Sequence, residues 1–296
     1  MNNFIVVGDM HIRYTAPSFR KSTFYSELLN KIDQINKLAR QYNADVICLG
    51  DLFNSYVEDY FELISYDLIN RIKGWYSLIG NHDCKTTNGD LRGTSFGTLK
   101  AANIIKLGLD FAKKYNNDKV EYHFFDYYNR QNLMKKQIIS EEDRDKKVRI
   151  AFIHDYVMPK GTKENFEYKE CEENDYNIVF CGHYHYPFDC IVGRTRYINP
   201  GSLMRLTISE VKLNRVPEVI LYNSNKIEHI KLKCSSIDDI VIETNSVTEK
   251  FESKFAEMLL ENDLSCNDNN IVNLLKKNNV DKNIIDYIEN KSREVL

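Results

Sequence analysis

Five separated stretches of this chain carry side chains able to hold metal ions: Asp9-Met10-His11, Gly50-Asp51, Gly80-Asn81-His82-Asp83, His154 and Gly182-His183-Tyr184-His185. Carboxylate, amide and imidazole donors in one set suit Mn²⁺, with Fe or Zn as further options. A carboxylate shared between two cations is the part expected of Asp51. Such a pair lowers the pKa of a bridging water and offsets charge in an in-line displacement at phosphorus. Of the seven histidines, His11, His82, His154, His183 and His185 fall in these stretches, while His123 and His229 lie outside them and receive no role. Asp-x-His alone is a common pattern, but core histidines satisfied by hydrogen bonds do not concentrate in an ordered set.

The elements that must position these residues are short apolar strands, most of them ending in glycine. Phe4–Val7 runs into Gly8, Val46–Leu49 into Gly50, and Trp75–Ile79 into Gly80. Arg149–Ile153 ends at His154, and Ile178–Cys181 runs into Gly182. Glycine turns the backbone where a Cβ would clash, and strand ends are where ligands gather in α/β sheets. Between the first two strands, Leu28, Leu29, Ile32, Ile35, Leu38 and Ala39 recur at helical spacing, which predicts an amphipathic helix over 23–42. Strand, helix, strand is a βαβ unit with parallel pairing. A second helix is expected over 60–72.

The stretch Cys84–Lys147 gives the weakest pattern. It suggests a helix through Leu99–Asn103, a strand at Val120–Phe125 and a polar, solvated helix or loop over 129–147. Lys146, Lys147 and Arg149 read as a solvated face. Further on, β-runs at Cys190–Val192 and Thr195–Ile198 precede a tight Asn199-Pro200-Gly201-Ser202 turn. Val219–Tyr222 and Lys226–Leu232 read as a hairpin.

Composition is that of an ordinary globular chain of 296 residues, 43% apolar and 28% charged. No apolar run approaches the ~18 residues of a membrane span, and Phe4-Ile5-Val6-Val7 follows no signal-like flank, so a cytoplasmic, membrane-free protein is expected. Seven cysteines without a CxxC fit a reducing compartment and argue against structural zinc. The net charge of −3 speaks against a basic DNA-wrapping protein but leaves a nucleic-acid enzyme open. After Cys234 the composition shifts toward Asn, Lys, Asp and Glu, dividing the chain into 1–233 and a short helical C-terminal appendage, 234–296.

The ordered series Asp9-x-His11, Gly50-Asp51, Gly80-Asn81-His82-Asp83, His154 and Gly182-His183-x-His185 resembles the calcineurin-like metallophosphoesterase family over about 1–233. The resemblance implies an α/β (α+β) fold, a four-layer metallophosphoesterase β-sandwich flanked by helices. It also implies two divalent metal ions, one held by Asp9, His11, Asp51 and His185, the other by Asp51, Asn81, His154 and His183. His82 is then the candidate to protonate the leaving oxygen or stabilise equatorial charge, with Asp83 orienting its ring. Leu52-Phe53 after Gly50-Asp51, Pro187, and Asn199-Pro-Gly-Ser-Leu-x-Arg205 followed by Glu210 are similar to SbcD-like nuclease subunits of double-strand-break repair, small phage-encoded versions included. Asn54 departs from that branch, in which His or Asp is common at this place. This closer resemblance implies Mn²⁺-dependent cleavage of DNA, a homodimer, and an SbcC-like coiled-coil ATPase docked on about 246–296; the alternative for those helices is that they cap their own domain. Competing readings are a phosphatase or cyclic-nucleotide phosphodiesterase using the same ligands, and a non-catalytic scaffold. The scaffold is disfavoured because no ligand of the series is missing.

Overall fold

Phe4 organises the centre of the molecule: its ring stacks on Tyr222 at 4.6 Å and meets Phe111, Tyr122, Phe152 and Phe180 edge-on. The computed structural model describes residues 2–134 except 22 and 87, and residues 146–241 except 165. In chain order the described elements begin β1 (Phe4–Val7), α1 (Phe24–Tyr42), β2 (Asp45–Cys48), α2 (Phe61–Ile72), β3 (Tyr76–Ser77), α3 (Ser95–Ala101), β4 (Lys106–Leu107) and α4 (Gly108–Tyr115). They continue with β5 (Val120–Phe125), a 3₁₀ helix (Tyr127–Met134), β6 (Val148–His154), β7 (Val157–Met158), β8 (Lys169–Glu170), β9 (Ile178–Gly182), β10 (Phe188–Val192), β11 (Thr195–Asn199), β12 (Glu218–Asn223) and β13 (Lys226–Lys231). Short helices at Ile208–Lys212 and Ile237–Ile240 flank the final hairpin.

Two mixed sheets form, ordered β13-β12-β1-β2-β3-β4 and β10-β11-β9-β6-β5. Because side chains alternate along a strand, Phe4 and Val6 join Ile47, Leu49, Phe152 and Phe180 in one core, while Ile5 and Val7 join Phe24, Leu28, Ile32, Ile64 and Leu68 of α1 and α2 in another. Both faces of β1 are thus covered, which accounts for its unbroken apolar run. A third cluster, with Val157, Cys171 and Tyr176 against Ala151, Ile153 and Val179, covers the outer face of the second sheet. The layered α/β architecture expected from the sequence is the one observed.

Helix α4 is not announced by the sequence pattern because it has little more than two turns; its Phe111 and Ala112 are buried. Of the polar stretch 129–147, residues 135–145 lie outside the described residues. Residues 234–241, grouped by composition with the appendage, belong with the first unit, Met1–Ile242. Lys21 N–H donates to Ile240 O at 2.8 Å, and Arg205 Nη2 donates to Ser235 O at 2.7 Å. The rest of the expected appendage, with its proposed docking helices, lies outside the described residues.

Beneath the site, α1 carries a buried charge network. Glu27 accepts from Arg20 at 2.7 Å and pairs with Lys31 at 2.8 Å, and Arg205 lies 3.8 Å away. Lys31 Nζ also donates to Leu203 O at 3.1 Å, and Arg20 Nη1 to Arg205 O at 3.1 Å, so these cations anchor the loop that follows Asn199-Pro200-Gly201. Removing the one carboxylate would leave buried cations uncompensated. Glu27→Gln is expected to lower the unfolding free energy by about 3 kcal/mol. Urea denaturation checks it, and a change below about 1 kcal/mol would mean that water already reaches the network.

Candidate metal centre

The carboxyl ends of β1, β2, β3, β6 and β9 meet where the two sheets approach, and the loops leaving them are laced together. Met10 N–H and His11 N–H donate to Asp51 O at 3.1 and 2.9 Å, and His183 N–H donates to the Asp9 carboxylate at 2.9 Å. His11, Asp51 and His183 all have left-handed backbone, with φ of 45°, 45° and 77°. Non-glycine residues reach that region at a cost of roughly 1–2 kcal/mol each, so the surrounding contacts hold them there. At Gly80 a Cβ would stand 2.0 Å from Asp51 Oδ1, so only glycine lets β3 come this close to the β2 turn.

All seven expected ligands converge. Asp9, His11 and His185 form one group of donors and Asp51, His154 and His183 another, each within 4.8 Å; His11, Asp51 and His82 form a third. His11 Nε2 and His185 Nε2 are 3.1 Å apart. Asn81 Oδ1 and Asp51 Oδ2 lie 3.1 and 3.3 Å from His154 Nε2. His154 Nδ1 is 2.8 Å from Leu49 O, which can only accept, so Nδ1 carries the hydrogen and Nε2 is directed at the other donors.

The electrostatics fit cations. Burial pushes His11 down to about 3 and His183 to about 2, leaving neutral imidazoles with lone pairs to offer. Burial also pushes Asp9 up to about 6 against the pull of His154. Burial opposes charge on Asp51 and His154 as well, yet each sustains the other: Asp51 stays well below the carboxylate range and His154 rises to about 10. Positive charge is therefore favoured between these two side chains, a demand that a divalent cation meets. The residues present fit such ions.

One expectation is corrected. Asp83 does not orient the His82 ring. Its fully buried carboxylate accepts backbone N–H bonds from Gly80, Phe53 and Leu52 at 2.9, 3.1 and 3.3 Å, tying the β2 and β3 turns together. The ring is held instead by Asn54, whose carbonyl oxygen accepts from His82 Nδ1 at 2.6 Å. Adjacent residues in a tight turn face different ways, which sequence adjacency conceals.

Glu210 supports the centre in a way that the residue series did not reveal. It is buried beside His185, with Oε1 3.5 Å from Nδ1, and it also accepts from Ser202 Oγ and Thr207 N–H at 3.1 and 3.0 Å. Burial acts to raise its pKa, but His185 and Arg215 hold it below the usual value. Thr207-x-x-Glu210 is a helix capping box in sequence, a signal for its local role only. Glu210→Gln is expected to weaken Mn²⁺ binding about 10–100-fold, since carboxylates behind ligating histidines contribute that much. Calorimetric titration with Mn²⁺ checks this; unchanged affinity would remove Glu210 from the site.

A family model described as calcineurin-like phosphoesterase matches residues 3–187, and the chain belongs to that family. It is a metallophosphoesterase, a hydrolase of phosphoesters in a family that uses divalent metals. Similar solved structures include an archaeal phosphodiesterase, 14% identical with TM-score 0.38, the match covering 78% of this chain and 99% of that one. Another is a putative 5′-nucleotidase from Staphylococcus aureus, 17% identical with TM-score 0.43, covering 87% of this chain and 58% of that one. The NAD nucleotidase of Haemophilus influenzae is 14% identical with TM-score 0.41, covering 93% and 59%. A search of curated proteins finds no match. Among the described residues no helix is long and apolar enough to cross a membrane.

Proposed function

We propose that this chain is the nuclease subunit of an SbcCD-like repair and recombination complex and hydrolyses phosphodiester bonds of DNA with two divalent cations, Mn²⁺ foremost. The observation that carries the reading is the convergence of seven candidate ligands, Asp51 among them. Asp9, His11, Asp51 and His185 would hold one cation, and Asp51, Asn81, His154 and His183 the other. Such a pair supplies an acidified water and offsets charge at phosphorus.

The residues that distinguish the nuclease branch brace this site. Phe53 N–H is held by Asp83 at 3.1 Å. Pro187 crowds Gly201, where an added Cβ would lie 3.1 Å from its ring. Buried Arg205 follows the turn whose Ser202 N–H donates to His185 O at 3.1 Å. With the His82 Nδ1–H given to Asn54 O, Nε2 is the nitrogen left to give a proton to the leaving oxygen when the ring is doubly protonated. Asp83 acts as a positioning residue. The proposed partners are DNA, a second copy of the chain and a coiled-coil ATPase gripped by 246–296, in a cytoplasmic setting.

The test is digestion of end-labelled linear duplex and single-stranded DNA with Mn²⁺, beside p-nitrophenyl phosphate and cyclic nucleotides. DNA degradation is expected. Monoester or cyclic-nucleotide turnover with intact DNA would replace the nuclease with a phosphatase or phosphodiesterase. Deleting 246–296 is expected to abolish ATPase binding, and unchanged affinity would remove the docking role.

A further inference from the structure

A cleft of about 390 Å³ opens beside His183, and Tyr127, Arg130, Asp155, Tyr156 and Lys169 contribute to its walls. Its size falls within the ~300–1,000 Å³ range of sites that bury small molecules. We propose that it is a nucleobase subsite, holding the base of a nucleotide that adjoins the phosphodiester under attack. This deepens the nuclease reading above and rests on it.

Aromatic surface next to the ligands is the first support. The Tyr156 ring centre lies 3.8 Å from that of His183 and 4.5 Å from that of Phe166, and Tyr127 lies 5.6 Å from His183. A base held here would adjoin a phosphate at the metal centre, because His183 belongs to both places.

The second support is a fixed guanidinium plane. Arg130 Cζ sits 3.8 Å over the Tyr127 ring while its Nε pairs with Asp155 Oδ1 at 3.2 Å. Aromatic rings and arginine planes are the surfaces on which bases stack, whatever the base.

Charge balance is the third. Asp155 is shared by Arg130 and Lys169, and Glu167 also lines the cleft. Two cations facing two carboxylates give no excess positive charge for a bare phosphate. A flat, neutral group with donors and acceptors along its edge suits this lining better.

The test uses two diesters with the same leaving group, the p-nitrophenyl ester of thymidine 5′-phosphate and methyl p-nitrophenyl phosphate. The full chain is loaded with Mn²⁺, and the wild type is compared with Arg130→Ala and Tyr127→Leu. The wild type is expected to favour the nucleoside ester in kcat/KM by at least about 10-fold. Both variants should lose most of that preference through KM, with unchanged metal content and methyl-ester turnover within about 2-fold. Equal wild-type rates on the two esters, or variants that slow both alike, would overturn the subsite while leaving the diesterase standing. Hydrolysis of neither ester would overturn the nuclease reading itself, and the subsite with it.

Discussion

Asp51→Asn should reduce phosphodiester hydrolysis by at least about 1,000-fold and leave the protein with fewer than two bound metal ions per chain. Asparagine keeps the size of the side chain and tolerates the left-handed backbone found at Asp51, so the fold should survive. What disappears is the charge that His11, His82 and His154 surround. Asp51 Oδ2 lies 3.3 Å from His154 Nε2 and 3.7 Å from His11 Nε2, and Oδ1 accepts from His82 N–H at 2.9 Å. Asp51 reaches His11 of one donor group and His154 of the other, so its loss weakens both at once. Metal content by mass spectrometry and turnover of bis-(p-nitrophenyl) phosphate with Mn²⁺ are the two readouts. Two ions per chain with near wild-type turnover would show that Asp51 is not the shared ligand.

His82→Ser should lower kcat by about 100–10,000-fold with metal content unchanged, the span found for losing a positioned acid or base. The His82 ring is 4.8 Å from the His11 ring, so it borders the donors. Its Nδ1 is committed to Asn54 O, which aims the remaining nitrogen and fixes which one exchanges protons. Substrates with a good leaving group need little protonation there. The loss should therefore be smaller for p-nitrophenyl esters than for DNA, an inequality that a misplaced ligand would not produce. Full activity of the variant on DNA would refute the proton-donor role, and loss of metal would recast His82 as a ligand.

The set of candidate donors was legible because its signals are local. Each sits at or just after the end of a short apolar strand, and parallel pairing within each sheet aligns those ends. Even so, the residue string contains no distances: it could not show that the β2 and β3 turns share the carboxylate of Asp83. The supporting contacts are long-range, and their residues resemble ordinary surface chemistry. Glu27 and Lys31 stand four residues apart on α1, a spacing also common on solvated helix faces, yet both are buried, and Lys31 reaches a loop more than 170 residues away in sequence. Asn54 acts through its backbone carbonyl, which leaves no trace in residue identity. The stretch from Cys84 to Lys147 resisted reading because its described helices run only seven or eight residues, too short for periodicity to separate helix from loop.

The backbone at His11, Asp51 and His183 sets the interests of the fold against those of the reaction. Glycine would sit more comfortably at each of these positions, so a chain optimised for durability alone would drift toward discarding these candidate ligands. Selection for stability without a screen for turnover would be expected to erase this centre first, one relaxed loop at a time.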